Sequence, residues 1–158
     1  PNVVDALDIP VIGGGGISDG RGLLAVLAMG AQGIILGTRL LATQECPIHD
    51  NMKNAIVQAK ETDTLLVMRS LNATHRVLNN AAAHNCLKLE EQKADFDEIF
   101  GIISGEKTQK MYDEGDIDVG LVSAGQGMGI IHNIPTIKEL FDGMISQAAK
   151  ITADLHTS

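Results

Sequence analysis

The chain has 158 residues, of which 44% are hydrophobic and 20% charged, a composition typical of one globular domain. Its formal net charge is −8 and only 3% of its residues are aromatic, so nucleic-acid binding, which needs basic and stacking side chains, is not expected. No apolar run reaches the roughly 20 residues that span a bilayer, so no membrane segment is expected. The two cysteines, Cys46 and Cys86, lack metal-type spacing and predict a reducing, cytoplasmic setting.

Residues 9–39 predict a strand, a helix and a second strand. The run 9–13 is short and apolar, with a proline near its start and glycines at its end, which favours a buried strand. A helix is predicted from Ser18, with an apolar face that Gly30 closes. The second strand covers residues 33–36. This order implies two parallel strands joined by a right-handed crossover.

After residue 39 the strand signals nearly stop. An apolar face over residues 52–59 predicts a helix that starts near His49 or Asp50. The run 64–68 is β-prone but has no evident partner, so its state is left open. The charged stretch 88–98 is a candidate surface connection. Other helices are expected near residues 73–83, 95–102 and 106–114.

The C-terminal stretch predicts the clearest helix of the chain. Apolar residues recur at helical spacing from residue 137 to residue 151. Thr136 and Glu139 stand in capping-box register at its start. The preceding run 124–129 is too rich in glycine to be predicted as a helix.

Both predicted strands of residues 9–39 end in glycine. Gly14, Gly15 and Gly16 follow the first strand, and Gly37 and Thr38 follow the second. Glycine lets the backbone approach a phosphate, and successive N–H groups form an anion cradle, to which the N-terminus of the next helix would add. The loops after strands seven and eight of a (β/α)8 barrel are a frequent phosphate site. The pattern therefore predicts a phosphate site; glycines that serve only tight turns are the alternative.

Several other polar residues have two interpretations each. Thr38 is either a hydroxyl donor to phosphate or a helix N-cap, and Arg39 either faces the phosphate or forms a structural ion pair. His132 either lies near the substrate or is a structural histidine, and Cys46 is either a reactive thiol or an inert small residue; the structural histidine and the inert cysteine are expected. The acidic run 113–118 lacks the full pattern of a calcium loop and is expected to be a solvated face. The methionines are expected in the core, at positions 52, 111, 128 and 144.

Three blocks in the same order resemble the nitronate monooxygenase family, formerly called 2-nitropropane dioxygenases. They are the glycine loop 9–22, the strand motif 29–40 and the block 124–126 with Gly129 after it. The family usually has two alanines where this chain has Gly13 and Gly14, and relatives commonly carry His and Lys where this chain has His49 and Lys53.

The resemblance implies an α/β fold that is the C-terminal portion of a TIM barrel. Strands seven and eight and their phosphate loops would lie in residues 1–45, and residues 46–158 would form a mainly helical region packed on the barrel. The implied cofactor is FMN, bound by Gly14, Gly15, Gly16, Gly37, Thr38 and Gln126. For Gln126, packing against the mouth of the barrel is an equal alternative.

The implied activity is the oxidation of alkyl nitronates with oxygen. An FMN-dependent enoyl-ACP reductase, which uses NAD(P)H and an enoyl thioester, shares the same C-terminal motifs, and a non-catalytic phosphate-binding fragment is a third hypothesis. The family's catalytic histidine lies before the strand-seven loop, so this chain alone is not expected to be catalytically competent. Its expected partners are a small-molecule substrate and a missing N-terminal half or a second copy.

Overall fold

The computed structural model describes residues 1–157. Its helices and strands follow in the order α1 (Asn2–Ala6), β1 (Ile12–Gly14), α2 (Gly20–Ala28), β2 (Gly33–Ile35), α3 (Thr38–Leu41), α4 (Asp50–Gln58), β3 (Thr64–Val67), β4 (His75–Leu78), α5 (Ala81–Glu91), α6 (Phe96–Ile103), α7 (Gly105–Glu114), a 3₁₀ helix (Gln126–Ile130) and α8 (Ile137–His156). Across the described part of the chain, no helix combines the length and the apolar composition of a membrane span.

The first sheet consists of β1 and β2, which are paired in parallel. α2 connects these two strands in the chain. Ile12 lies opposite Gly33 and Gly14 opposite Ile35. The predicted strand–helix–strand order is confirmed, although β1 begins at Ile12 rather than at residue 9. α8 packs on α2 so closely that a Cβ at Gly20 would meet the carbonyl oxygen of Met144.

The second sheet is antiparallel and was missed by the sequence analysis. Thr64 pairs with Leu78 and Val67 with His75, so the expectation that strand signals nearly stop after residue 39 is wrong. The backbone of residues 122–124 lies along the other edge of β4. The N–H of Leu78 donates to the carbonyl of Val122, and the N–H of Ala124 donates to the carbonyl of Arg76. Residues 64–67, whose state was left open, therefore find their partner in the chain segment that had been assigned to a helix.

The helix predicted over residues 73–83 is wrong at its start. Residues 75–78 form β4, and α5 begins only at Ala81. Asn80 stops the strand and caps the helix: its side chain accepts a hydrogen bond from the N–H of Ala83 and donates to the carbonyls of Ile117 and Gly120. These partners come from distant residues, so tertiary contacts override the local helical pattern.

The predicted helices near residues 50, 95, 106 and 137 are confirmed. α6 and α8 both begin with a complete capping box, formed by Asp95 with Glu98 and by Thr136 with Glu139. The connection expected over residues 88–98 is shorter than predicted, because α5 continues to Glu91. The methionines expected in the core are buried at positions 52, 111, 128 and 144.

Candidate functional site

The main candidate site is a cavity of about 680 Å³ between the two sheets. Its wall combines the glycine loops after β1 and β2 with residues of β4, α7 and the segment 123–127. The volume is typical of a pocket for a small molecule or cofactor. The lining residues are Gly14, Gly15, Gly16, Ile17, Ser18, Ile35, Leu36, Gly37, Thr38, Leu41, His75, Arg76, Tyr112, Ser123, Ala124, Gly125 and Gly127.

The glycine loops present open backbone to this cavity. Gly15 and Gly16 have φ angles of 93° and 70°, in the left-handed region that glycine adopts without strain. A Cβ added at Gly15, Gly16 or Gly37 would meet no atom within 4 Å. Within residues 1–157, the N–H groups of Gly16 and Gly37 have no intramolecular hydrogen-bond acceptor. The two loops can therefore offer free N–H donors to an anion at close range.

The N-terminus of α2 does not contribute to this cradle, contrary to the expectation from the sequence. The side chain of Asp19 caps it and accepts hydrogen bonds from the N–H groups of Arg21 and Gly22 at 3.0 and 3.3 Å. Partial burial acts to raise the pKa of Asp19, but the hydrogen bonds from Arg21 and Gly22 outweigh it and the pKa is lowered. A carboxylate thus already occupies the positive end of the helix.

The glycines at positions 13 and 14 leave room for branched neighbours. A Cβ at Gly13 would meet Val26, and a Cβ at Gly14 would lie 2.6 Å from Cγ2 of Ile35. Branched side chains on α2 and β2 therefore fill the space that alanine methyl groups would need. This packing favours glycine at both positions, because a methyl group there would collide with these side chains.

Thr38 connects the second glycine loop to the segment 123–127. Its Oγ1 accepts a hydrogen bond from the N–H of Gly125 at 2.9 Å, which leaves the hydroxyl hydrogen available to an anion in the cavity. Thr38 is the first residue of α3, and Gly37 is the N-cap, so the N-cap interpretation of Thr38 is wrong. The first loop is connected in the same way, because Oγ of Ser18 donates to the carbonyl of Gly127 at 3.0 Å.

Arg39 follows neither interpretation from the sequence. It is buried and lies outside the lining of the cavity. Its guanidinium donates to the carbonyls of Ala42 and Asn133 and to Oδ1 of Asn133 at 3.1, 3.2 and 2.8 Å, and burial lowers its pKa. Arg39 thus fixes the segment before α8 against α3 through neutral oxygens, without a carboxylate partner among the described residues.

The structure brings most of the predicted cofactor residues to one cavity. Gly14, Gly15, Gly16, Gly37 and Thr38 all line it. Gln126 does not: its side chain is exposed and its Nε2 donates to the carbonyl of Glu61 at 3.4 Å. The neighbouring backbone at Gly125 and Gly127 takes that place in the wall.

Besides Ser18, four polar lining residues were missed by the sequence analysis: His75, Arg76, Tyr112 and Ser123. Nε2 of His75 lies 2.8 Å from Oγ of Ser123. The guanidinium of Arg76 donates a hydrogen bond to Oγ1 of Thr64 at 2.7 Å. Burial of the Tyr112 side chain raises its pKa. No spacing signal could have found His75 and Arg76, since they were assigned to a helix and their cavity forms only when β4 pairs with β3.

The remaining candidates lie away from the cavity. His132 is exposed and outside the lining. Asp118 of the acidic run accepts a hydrogen bond from the N–H of Ala81, and Asp113 accepts from Gln109. Among residues 1–157 no group of three or more His, Cys, Asp or Glu side chains is arranged to hold a metal ion.

The family model described as "Nitronate monooxygenase" matches residues 1–147. FabK from Thermotoga maritima superposes with a TM-score of 0.91 at 29% identity, covering 99% of this chain and 49% of that one. Nitroalkane oxidase from Streptomyces ansochromogenes gives a TM-score of 0.74 at 27% identity, covering 96% and 42%.

Two curated proteins are also similar to this chain in sequence. A (3aS,4S,5R,7aS)-5-hydroxy-7a-methyl-1-oxo-octahydro-1H-indene-4-carboxyl-CoA dehydrogenase from Rhodococcus jostii is 33% identical over 95% of this chain and 53% of its own length. A probable nitronate monooxygenase from Staphylococcus aureus is 36% identical over 61% of this chain and 27% of its own length. The chain therefore spans about half the length, or less, of the relatives that it matches.

Proposed function

The chain belongs to the nitronate monooxygenase family, and from this we propose that it is the FMN-binding C-terminal part of a (β/α)8 barrel, with β1 and β2 as strands seven and eight. The exposure of the parallel pair supports this. Ile12 and Ile35 are 55% and 66% exposed, although parallel sheets are normally covered on both faces. The remaining strands, from an N-terminal half or a second copy, would cover these side chains.

The glycine cradle is the observation that carries the proposal for FMN. Its phosphate would accept hydrogen bonds from the free N–H groups of Gly16 and Gly37 and from the hydroxyl of Thr38. The hydrogen bond from the N–H of Gly125 to Oγ1 of Thr38 orients the hydroxyl before the ligand binds. These donors are neutral, so the net charge of −8 does not oppose binding.

The reaction that we propose for the intact protein is the oxidation of alkyl nitronates with oxygen. FMN, when bound, carries the electrons, while the protein supplies binding, orientation and electrostatics. The residues of this chain anchor the cofactor and form part of the wall of the substrate site; the catalytic base is proposed to lie in the other half of the barrel. The two free cysteines, Cys46 and Cys86, support a reducing, cytoplasmic location.

A second candidate function is the reduction of an enoyl thioester with NAD(P)H. It is favoured by the 33% identity to a relative whose name specifies a carboxyl-CoA compound. Thioester and nitronate both carry a polar head on a hydrocarbon part, so the cavity accommodates either class. A chain that binds phosphate without taking part in catalysis is the third candidate.

The test of the cofactor site is an FMN titration of wild-type protein and the Gly37→Ala variant, followed by flavin fluorescence. A Cβ at Gly37 meets no protein atom within 4 Å, so alanine fits the fold but occupies the phosphate position. We expect Gly37→Ala to raise the Kd for FMN by roughly tenfold to a hundredfold, the size of a lost hydrogen bond to a charged group. Riboflavin, which lacks the phosphate, should bind more weakly and respond little to the substitution.

Gly101→Ala is the matched control, because a Cβ at Gly101 on α6 also meets nothing within 4 Å and Gly101 lies outside the cavity. It should leave the Kd for FMN unchanged. Equal FMN affinity for wild type and Gly37→Ala would contradict the phosphate site. Assays of the intact enzyme distinguish the two candidate reactions. Oxygen uptake with an alkyl nitronate supports nitronate oxidation, and NAD(P)H oxidation with an enoyl thioester supports enoyl reduction.

A further inference from the structure

A second cavity of about 300 Å³ lies beside the cofactor cavity. Its wall is mainly apolar, with Met68, Ala73 and Leu121 among its lining residues. His75 and Ser123 line both cavities, so the two spaces meet at this polar pair. The volume is at the lower end of the range for small-molecule pockets.

The loop that carries the apolar wall is held in an unfavourable backbone conformation. Met68 has a φ angle of 62°, in the left-handed region that is rare for side chains of its size. The carboxylate of Glu90 accepts hydrogen bonds from the N–H groups of Met68 and Ser70, both at 2.8 Å, and from the hydroxyl of Ser70 at 2.9 Å. These hydrogen bonds to Glu90 keep Met68 at the cavity wall, as expected of a preformed binding surface.

The boundary between the cavities is suited to a polar head group. Nε2 of His75 and Oγ of Ser123 are 2.8 Å apart. The hydroxyl can donate or accept, and either tautomer of the imidazole provides the complementary group. A ligand that places a charged or carbonyl oxygen here extends its other end toward the apolar wall.

We propose that the second cavity binds the hydrocarbon chain of the substrate, while the polar head lies in the main cavity beside His75 and Ser123. This inference rests on the proposed function and assigns the place of the substrate's hydrocarbon chain, whether its polar head is a nitronate or a thioester. A chain of several carbons fits the cavity better than a two- or three-carbon one, because apolar burial increases with each methylene.

The experiment measures dissociation constants by calorimetry for alkyl nitronates from ethyl to octyl, with the chain both FMN-loaded and FMN-free. Each methylene that enters the cavity should tighten binding by up to about fourfold. Ala73→Leu fills the cavity from an exposed loop position and should abolish the gain for the longer chains. Ser123→Ala should weaken every member of the series by a similar factor, because it alters the head-group site.

The matched control is Ala153→Leu, an exposed position on α8 that lines neither cavity; it should bind the series like wild type. A dissociation constant independent of chain length, or a gain that survives Ala73→Leu, overturns the inference even if FMN binds. If the chain fails to bind FMN but shows the Ala73-dependent gain, the proposed cofactor site fails and the hydrocarbon site stands.

Discussion

The two sheets of this molecule differ in how they are buried. The parallel pair β1–β2 leaves Ile12 and Ile35 largely exposed, and its small core depends on α8 for Leu140 and Met144. The antiparallel sheet β3–β4 lies on its own core, where Val67 and Val77 are fully buried. The first region therefore provides free backbone for a ligand, whereas the second lies on a fully buried apolar core.

This difference shows where binding and stability reside. Gly15, Gly16 and Gly37 present open backbone that makes few contacts within the chain, so they contribute donors rather than packing. The buried cluster around Ile56 and Met111 supports the segment 123–127 from behind, and that segment holds Ser18 and Thr38 by hydrogen bonds. The buried cluster thus positions the glycine loops through the segment 123–127.

The largest expected effect is on the free energy of unfolding, when one isoleucine in each region is changed to alanine. Ile99→Ala, at a fully buried position in the core under the antiparallel sheet, should lower the free energy of unfolding by about 2–5 kcal/mol because it removes packed methyl groups and leaves a cavity. Ile35→Ala, at a position 66% exposed, should lower it by less than about 1 kcal/mol. Urea denaturation of both variants measures the contrast; equal losses would mean that the parallel sheet is also covered in solution.

A smaller effect is expected at Arg39, which connects α3 to the segment before α8 within the region of the parallel sheet. Arg39→Met removes the donors to Ala42 and Asn133 and leaves their oxygens without partners. We expect the free energy of unfolding to fall by about 1–3 kcal/mol, because the carbonyl of buried Ala42 is left without a donor and the hydrogen bonds to Asn133 are lost. The exposed Arg21, changed to Met, serves as the control and should alter thermal stability little. An Arg39→Met variant as stable as wild type would show that the segment before α8 stays against α3 without these hydrogen bonds.

The cap of α2 should have an effect of about 1 kcal/mol. Asp19→Ala removes the acceptor of the Arg21 and Gly22 N–H groups and should destabilise the protein by about 1 kcal/mol near neutral pH. Because the pKa of Asp19 is lowered on folding, its contribution is complete above the ordinary value of 3.8 and is lost as the pH falls through the folded value. The difference between wild type and variant should therefore shrink in acid, as chemical denaturation at several pH values would show.

The smallest effect is expected at alkaline pH from Tyr112, in the cavity wall. Burial, and secondly the charge of Cys46, raises its pKa above the ordinary value of 10.0. A raised pKa means that the unfolded chain loses the proton first, so stability declines as the pH rises from the unfolded toward the folded value. Tyr112→Phe should flatten this decline in thermal unfolding between neutral and alkaline pH; an unchanged slope would place the tyrosine in solvent.

Much of the fold follows from local pattern. The capping pair Thr136–Glu139 and the apolar spacing after it predicted α8, and the glycines after two apolar runs predicted the parallel unit and most of the cavity's glycine wall. The helix predicted at residues 73–83 failed because the strand 75–78 is stabilised by β3 and by residues 122–124. Those partners are distant in the chain, and their hydrogen bonds have no signature in a short window of sequence.

The sequence by itself determined the backbone chemistry of the site: glycine at positions 15, 16 and 37 permits the conformations and the close approach that an anion cradle needs. Only the tertiary structure decided which side chains complete it. His75 and Ser123 meet because two segments 48 residues apart lie side by side, and Gln126 turns away because its amide reaches Glu61. Glycine acts through its own backbone, whereas a side-chain contact depends on where the rest of the chain packs.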